Sequence, residues 1–415
     1  MKKLNRNFKL LKDDYLFAEV GKRVEEYKKA FPTADVISLG IGDVTQPLSP
    51  KVVEAAKNAA TELSSRATFR GYGPYDGYAF LKDAIVDYYK LRGVEINADE
   101  VFVTDGAKNG IGNILDLFES DATVMIPDPV YPAYVDANII AGREIIYVNG
   151  TPENGFLPMP PTEHGHNHAK PDIIYLCSPN NPTGAAYTIG QLSAWVKYAV
   201  DNDAVILYDA AYEAFIENNE KDIKNRDDRV ARSIFEVVGA RDCAVELCSF
   251  SKLAGFTGVR CGWTVIPTKS PLNRMWLRRQ AIKFNGTSYI VQRMAESALK
   301  NGYEETERLV SLYKSNAKLI TDEFDKLGIE YTGGIHAPYV WFFTGIDSWE
   351  FFDCLLNKAR IVCTPGSGFG KNCNGWVRIT SFNTPERTKE AVERFRSFWQ
   401  EFLTVREKLF SPIKK

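Results

Sequence analysis

Strands and helices alternate through the middle of this chain, and that alternation predicts an α/β fold built on a mostly parallel, doubly wound sheet. Beyond residue 290 a long helical pattern is followed by short strands and a closing helix, which predicts a second, smaller α+β domain. The length of 415 residues accommodates both. The expected division is 1–48 for an amino-terminal arm that joins the small domain, 49–290 for a large ligand-binding domain, and 291–415 for the rest of the small one.

Taken in order, Phe17 to Tyr27 is amphipathic, and Ile37 to Asp43 reads as a short strand running into glycines. Helices are expected at 49–62 and from Ala79 to Leu91. Between them lies Arg70-Gly71-Tyr72-Gly73-Pro74-Tyr75-Asp76-Gly77. It superficially matches a dinucleotide-binding loop, but the third glycine falls one place late and no strand precedes it. Apolar runs then predict strands at Val101–Thr104, Thr123–Ile126, Ile145–Val148, Ile173–Cys177, Val205–Tyr208 and Ala244–Phe250. A helix from the Gly106 turn to Phe118 comes after the first of these. One long helix is expected from Gln292 to Leu327, then strands near Tyr331, at Tyr339–Phe343 and at Trp376–Ile379, and a last helix from Glu386 to Val405.

Composition removes several function classes. Lys and Arg (51) nearly balance Asp and Glu (53), so no charge excess points to nucleic acid or an anionic membrane. No window approaches ~18 uninterrupted apolar residues, and the basic start, Met1-Lys2-Lys3, is not followed by an apolar signal core. Seven cysteines, an odd number without a C-x-x-C pair, read as reduced core residues of a cytoplasmic protein. His164, His166 and His168 form an H-x-H-x-H tract, but no cysteine or carboxylate pair lies near it, so a solvated loop is expected and no metal site. Asn218 to Arg229 reads as a charged, solvated insertion.

In doubly wound sheets ligands sit beyond the carboxyl ends of the strands. Four such ends carry unusual residues: Pro127 to Pro132 with Tyr131, Ser178 to Gly184 with Asn181, Asp209 with Tyr212, and Ser249-Phe250-Ser251-Lys252. A lysine ending a buried strand has its pKa lowered, and a neutral amine is what Schiff-base chemistry with a carbonyl cofactor requires. Ser249, Ser251, Arg260 and the Gly106-Ala107-Lys108 turn offer hydroxyls, a guanidinium fork and a backbone cradle suited to a phosphate ester. Asp209 suits a protonated pyridine nitrogen, Asn181 and Tyr212 a phenolate oxygen, and Tyr131 the flat face of a ring. Arg378, on a strand of the second domain, suits a substrate carboxylate. Together these needs describe pyridoxal 5'-phosphate, with Lys252 as the catalytic base. Ser249-x-x-Lys252 also matches the S-x-x-K of penicillin-recognising enzymes, but the S-D-N and K-T-G that accompany it are absent.

In this order and spacing, these residues resemble the class I and II aminotransferases of fold type I along nearly the whole chain. Within them the chain is most similar to the LL-diaminopimelate aminotransferase family. The narrower likeness rests on Leu11 to Phe17, Gly40-Ile41-Gly42-Asp43-Val44-Thr45, Thr68 to Gly73, Phe284 to Tyr289 and Thr364 to Gly370. The resemblance implies a seven-stranded sheet, pyridoxal phosphate, and transfer of amino groups between LL-diaminopimelate and 2-oxoglutarate. The products would be tetrahydrodipicolinate, glutamate and water, a step of lysine biosynthesis. It implies that Tyr15, Gly42, Lys108, Tyr131, Asn181, Asn285 and Arg378 line the substrate pocket. It also implies a homodimer in which Tyr72 and Asn285 reach the neighbour's site, Tyr72 to the cofactor phosphate. Some relatives carry a glutamate where this chain has Tyr75-Asp76, so either Asp76 holds the substrate's distal ammonium or that end is recognised differently. An aminotransferase using glutamate, alanine, aspartate or aromatic donors is the alternative. A pyridoxal-binding regulator is less expected, because no basic patch for DNA accompanies the fold.

Overall fold

The computed structural model describes residues 3–12, 15–161, 170–218 and 223–410. The strands are β1 (Ile37–Ser38), β2 (Val101–Thr104), β3 (Val124–Asp128), β4 (Ile145–Asn149), β5 (Ile173–Cys177), β6 (Val205–Asp209), β7 (Ala244–Ser249), β8 (Gly262–Val265), β9 (Tyr331–Gly333), β10 (Tyr339–Phe343), β11 (Ile361–Val362), β12 (Thr364–Pro365) and β13 (Trp376–Thr380). Seven of them form the main sheet in the order β2-β8-β7-β6-β5-β3-β4. All run parallel except β8, which is antiparallel to both of its neighbours. Every residue of β5 and β7 is buried, as a sheet covered on both faces demands. One face carries Leu176, Tyr208 and Trp263 into one apolar cluster, and the other carries Ile126, Tyr175 and Leu247 into a second.

The six strands expected from apolar runs are all present within about two residues. The seventh, β8, is not legible as such a run. It has four residues, begins at Gly262, and comes just after Arg260, whose φ of +68° turns the chain back. A Cβ on Gly262 would stand 2.5 Å from the Cys248 carbonyl oxygen, so only glycine lets β8 start beside β7. The single helix expected over 292–327 is two, Tyr289–Leu299 and Tyr303–Leu327. The chain breaks at Gly302, where a Cβ would stand 3.0 Å from the Ser297 carbonyl oxygen. Helix Pro271–Lys283 is a further element beyond those expected, although Ser270 caps it and proline opens it.

A four-stranded antiparallel sheet, β12-β13-β10-β9, and the parallel pair β1-β11 make up the second part. Leu16, Val20, Ile37 and Leu39 share a core there with Phe342, Phe351, Phe395 and Trp399. The His164, His166 and His168 tract lies outside the described residues, as does part of the 218–229 insertion. No group of three or more metal-ligating side chains is present among the described residues, and no helix there is long and apolar enough to cross a membrane.

Behind the main sheet lies a buried polar cluster. Glu246 on β7 accepts hydrogen bonds from Ser233 Oγ (2.7 Å), Ile234 N (2.8 Å) and the Tyr89 hydroxyl. Burial pushes its pKa from 4.5 up to about 7, against those three donors. Between these values the unfolded chain has lost a proton that the folded chain keeps. Stability therefore falls as pH rises through that window, by up to about 1.4 kcal/mol per unit. In Glu246→Gln this contribution is absent, so urea unfolding near pH 5, 6 and 7 is expected to show wild type losing its advantage over the variant as pH rises. An offset independent of pH would mean that Glu246 is ionised in the folded protein.

Candidate active site

The main-sheet strands end in a cleft of about 510 Å³ closed on its far side by β10, β13 and the segment 41–43. Its floor is the end of β7. Ser249 Oγ accepts from Ser251 N at 3.0 Å and so caps the single helical turn Phe250–Leu253, which turns Lys252 into the cleft. Burial lowers the Lys252 pKa from 10.5 to about 8; Asp43 opposes that shift, and Arg378 and Arg260 add to it. Its Nζ donates to the Gly42 carbonyl oxygen. Gly42 must be glycine, because a Cβ would stand 2.3 Å from the Tyr339 hydroxyl.

At one end of the cleft, Arg260 Nη1 donates to Ser251 Oγ (3.4 Å) and to the Thr257 carbonyl oxygen (3.1 Å). Gly106, with φ +126°, sits so close that a Cβ there would be 2.7 Å from Arg260 Nη2. Gly106, Ser249, Ser251 and Arg260 therefore meet at one corner, and Ala107 and Lys108 line the same cleft.

Along the wall, Asp209 ends β6 and is 5% exposed. Its carboxylate accepts from Ala211 N (3.0 Å) and from the Tyr134 hydroxyl (2.5 Å). Burial nevertheless raises its pKa to about 6, and no lysine or arginine of the described residues forms an ion pair with it. The hydroxyls of Tyr212 and Tyr339 are 2.8 Å apart. Tyr131 lies at the end of β3, its ring set at 83° to that of Tyr134.

Arg378 on β13 is 1% exposed. Nη1 donates to Asn181 Oδ1 (2.6 Å), and Nη2 donates to the Gly40 carbonyl oxygen (2.6 Å) and to Thr364 Oγ1 (3.3 Å). Tyr339, Phe369 and Phe17 surround the guanidinium with ring centroids at 4.3, 5.0 and 5.5 Å. Nε is buried without a hydrogen-bond partner, and no carboxylate among the described residues meets the fork. A buried cation left in this state is ready for an anion. Because Arg378 occupies Asn181 Oδ1, the amide nitrogen of Asn181 remains as its donor. Lys108 Nζ lies 5.3 Å from the Tyr15 ring centroid and 5.8 Å from that of Tyr131. Burial, and next the neighbouring Tyr131, pushes the Tyr15 phenol up.

Lys252, Ala107, Lys108, Tyr131, Asn181, Asp209, Tyr212, Ser249, Ser251, Arg260, Gly42 and Arg378 thus share one cleft, with Tyr15 at its edge beside Lys108. Tyr72 and Asn285 are not in it. Tyr72 is 92% exposed and Asn285 is outside the cleft lining. Their loops adjoin, since a Cβ on Gly286 would stand 3.1 Å from the Pro74 carbonyl oxygen. Asp76 is no free carboxylate either: it pairs with Lys82, and its carbonyl oxygen accepts from Val103 N at 2.9 Å. Within one copy Asp76 is outside the cleft lining, and its carboxylate faces Lys82. Residue patterns alone assign no role to Asp43, Tyr134, Thr364, Phe17 or Tyr339. Tyr134 carries a usable signal, three residues after Tyr131 at a helix start; Tyr339 carries none, because it meets Tyr212 only through the packing of two distant sheets.

The model of the family described as "Aminotransferase class I and II" matches residues 34–395. The chain is 47% identical to the LL-diaminopimelate aminotransferase of Methanosphaera stadtmanae and 46% identical to that of Desulfotalea psychrophila. Each match covers 94% of this chain and 98% of the relative. Among solved structures, the L,L-diaminopimelate aminotransferase of Chlamydomonas reinhardtii superposes with a TM-score of 0.87 at 37% identity, covering 95% of this chain and 98% of that one. The aromatic aminotransferase of Pyrococcus horikoshii superposes with a TM-score of 0.78 at 28% identity, covering 92% and 99%. An aspartate aminotransferase of Thermus thermophilus, at 22% identity and a TM-score of 0.81, shares the fold. With its main sheet, its cleft and these relatives in agreement, the chain belongs to the class I and II aminotransferase family.

Proposed function

We propose that the chain is an LL-diaminopimelate aminotransferase that interconverts LL-diaminopimelate and 2-oxoglutarate with tetrahydrodipicolinate, glutamate and water, using pyridoxal phosphate. One observation carries the reaction type: an amine with pKa about 8, Lys252, shares a cleft with a buried guanidinium that lacks a carboxylate, Arg378. Likeness to the Methanosphaera, Desulfotalea and Chlamydomonas enzymes supports the substrate.

The residues present fit the cofactor. Asp209 is a buried carboxylate without a cation, which a protonated pyridine nitrogen would supply. The Gly106 turn with Ser249, Ser251 and Arg260 offers donors for a phosphate, and Tyr131 offers an aromatic face. Asn181 Nδ2 and the Tyr212 hydroxyl would hold the phenolate oxygen. Bound there, pyridoxal phosphate supplies the carbonyl that exchanges with amino groups and a sink for the electron pair released at the substrate's α-carbon.

The protein's own groups do the rest. Arg378 would bind the α-carboxylate with its buried guanidinium, whose charge no carboxylate among the described residues neutralises and which keeps N–H groups beyond those given to Asn181, Gly40 and Thr364. Asn181 couples that fork to the cofactor edge, since one amide faces both. Lys252, with its amine in the cleft, would take the α-proton as general base and return it as general acid. Its Nζ hydrogen bond to Gly42 aims it across the cleft. Phe17, Phe369 and Tyr339 exclude water from the fork.

We place the enzyme in the cytoplasm as a homodimer. The seven cysteines are all free, six of them buried, which suits a reducing compartment. Tyr72 and Asn285 lie on adjoining loops outside the cleft and would complete the neighbour's site.

The deciding assay mixes purified protein, pyridoxal phosphate, LL-diaminopimelate and 2-oxoglutarate, and measures glutamate. Glutamate is expected to form faster than with aspartate, alanine or aromatic donors in place of diaminopimelate. A preference for any of those donors would instead assign the protein to another aminotransferase of the family.

A further inference from the structure

The loop after β12 crosses from the second part of the protein to the end of β3 and is fastened there. Asp128, the last residue of β3, is 4% exposed. Its Oδ2 accepts from Lys371 N at 3.3 Å, and its Oδ1 accepts from Cys373 Sγ at 3.6 Å. Two residues on, Val130 N donates to the Phe369 carbonyl oxygen at 2.9 Å. Gly370 passes so close that a Cβ would lie 1.6 Å from Asp128 Oδ1. A side-chain hydrogen bond from Asn372 to Asn149 on β4, at 3.3 Å, extends the seam. The residue carried by this loop is Phe369, 2% exposed, whose ring packs against Phe17, Trp341 and the Arg378 guanidinium.

We propose that Asp128 is a positioning residue for substrate. By latching residues 369–373 of the second part onto the end of β3, it holds Phe369 against Arg378 and so fixes the orientation of the carboxylate fork. Asp128 itself does not line the cleft; it acts through the loop. The fork's own hydrogen bonds do not fix its tilt completely. They leave Nε open, and the faces of the guanidinium are bounded by aromatic rings, of which Phe369 stands on the latched loop. The loop has other anchors, Ser348 Oγ to Ser367 Oγ at 2.9 Å and Lys12 Nζ to the Ser367 carbonyl oxygen at 3.3 Å. Both lie before Phe369; past it, once Asp128 is removed, only Val130 N to the Phe369 carbonyl oxygen and the exposed Asn372–Asn149 bond still tie the loop to β3 and β4, so residues 369–373 loosen while 366–367 stay in place. The inference rests on Arg378 being the carboxylate fork.

The test compares Asp128→Ala, Asp128→Asn and Arg378→Ala as cofactor-loaded enzymes. Asp128→Ala is expected to raise the KM for the amino donor by at least about tenfold, with kcat within about threefold, because a misaimed fork loses uniform binding. Hydrogen exchange should quicken at 369–373 and at Val130, while pyridoxal phosphate affinity stays within about twofold of wild type. Asp128→Asn should bring KM back to within about threefold of wild type, since its Oδ1 accepts from Lys371 N and its amide donates to Cys373 Sγ. If Asp128→Ala fails to fold, Gly370→Ala opens the same latch from the other side and is read in the same way. An unchanged KM in Asp128→Ala beside a raised KM in Arg378→Ala would overturn the latch alone. An unchanged KM in Arg378→Ala would overturn the fork, and the latch with it. Equal losses in kcat and cofactor affinity would make Asp128 a support for Tyr131 and overturn the proposal.

Discussion

Lys252→Ala is expected to abolish turnover, lowering kcat by at least about a thousandfold, the upper part of the range for a lost acid–base group. The variant keeps Asp209, Arg378 and the Ser249–Arg260 corner, so it should still bind pyridoxal phosphate. Borohydride should then fail to fix the cofactor to the peptide containing residue 252, whereas it does so in wild type. Retention of normal turnover would remove Lys252 from the chemistry. The same residue sets a pH dependence. Its amine is neutral above a pKa lowered by burial to about 8, so capture of added cofactor by the cofactor-free protein should rise with pH and level off above that value. Stopped-flow absorbance across about pH 6 to 10 measures it. A midpoint near that of a free lysine would mean that the cleft admits water to Nζ.

Arg378→Ala carries the second largest effect. It removes a buried cation, takes the donor from Asn181 Oδ1, and leaves the Gly40 carbonyl oxygen and Thr364 Oγ1 with only their bond to each other. Truncating one side of a buried charged pair costs about 2–5 kcal/mol, so kcat/KM should fall roughly 30- to 5,000-fold. Lysine is not expected to rescue it, because a point charge cannot satisfy three acceptors and a carboxylate together. Steady-state kinetics with two donors separate the reading from a folding defect. A donor analogue without the α-carboxylate should react equally slowly with wild type and variant. A difference between them there would place the effect outside carboxylate binding.

Much of this site is legible in the residues because each chemical need falls at the end of a strand. Apolar runs mark β5, β6 and β7, and the residues just past their carboxyl ends must lie on one edge of the sheet. That rule alone brings Lys252, Asp209 and Asn181 together. It does not reveal the antiparallel β8, whose four residues carry a glycine and a threonine and owe their place to contact with β7, not to their own pattern. Nor does a linear reading pair Tyr212 with Tyr339, or Asp128 with Lys371 and Cys373, because those contacts join separate parts of the fold. Asp76 illustrates the converse. Its position in the chain suggests a ligand, and only its neighbour Lys82 shows that its charge is already matched.

The pairing of β1 with β11 has a consequence for the protein's synthesis. Ile37 and Ser38 lie beside Ile361 and Val362, and the Gly40 carbonyl oxygen accepts from Thr364 Oγ1, 324 residues downstream. On the ribosome β1 therefore emerges long before its partner β11 is made. At ~5–20 residues per second that wait is roughly 16 to 65 s. The main sheet can be complete well before then, since β8 ends at Val265. Through that interval Leu16, Val20, Ile37 and Leu39 have no core to enter, and the carbonyl that receives Lys252 is untethered. The nascent chain thus passes through a stage with a finished scaffold and an unfinished catalytic centre, the apolar side chains of residues 16–39 open to chaperones.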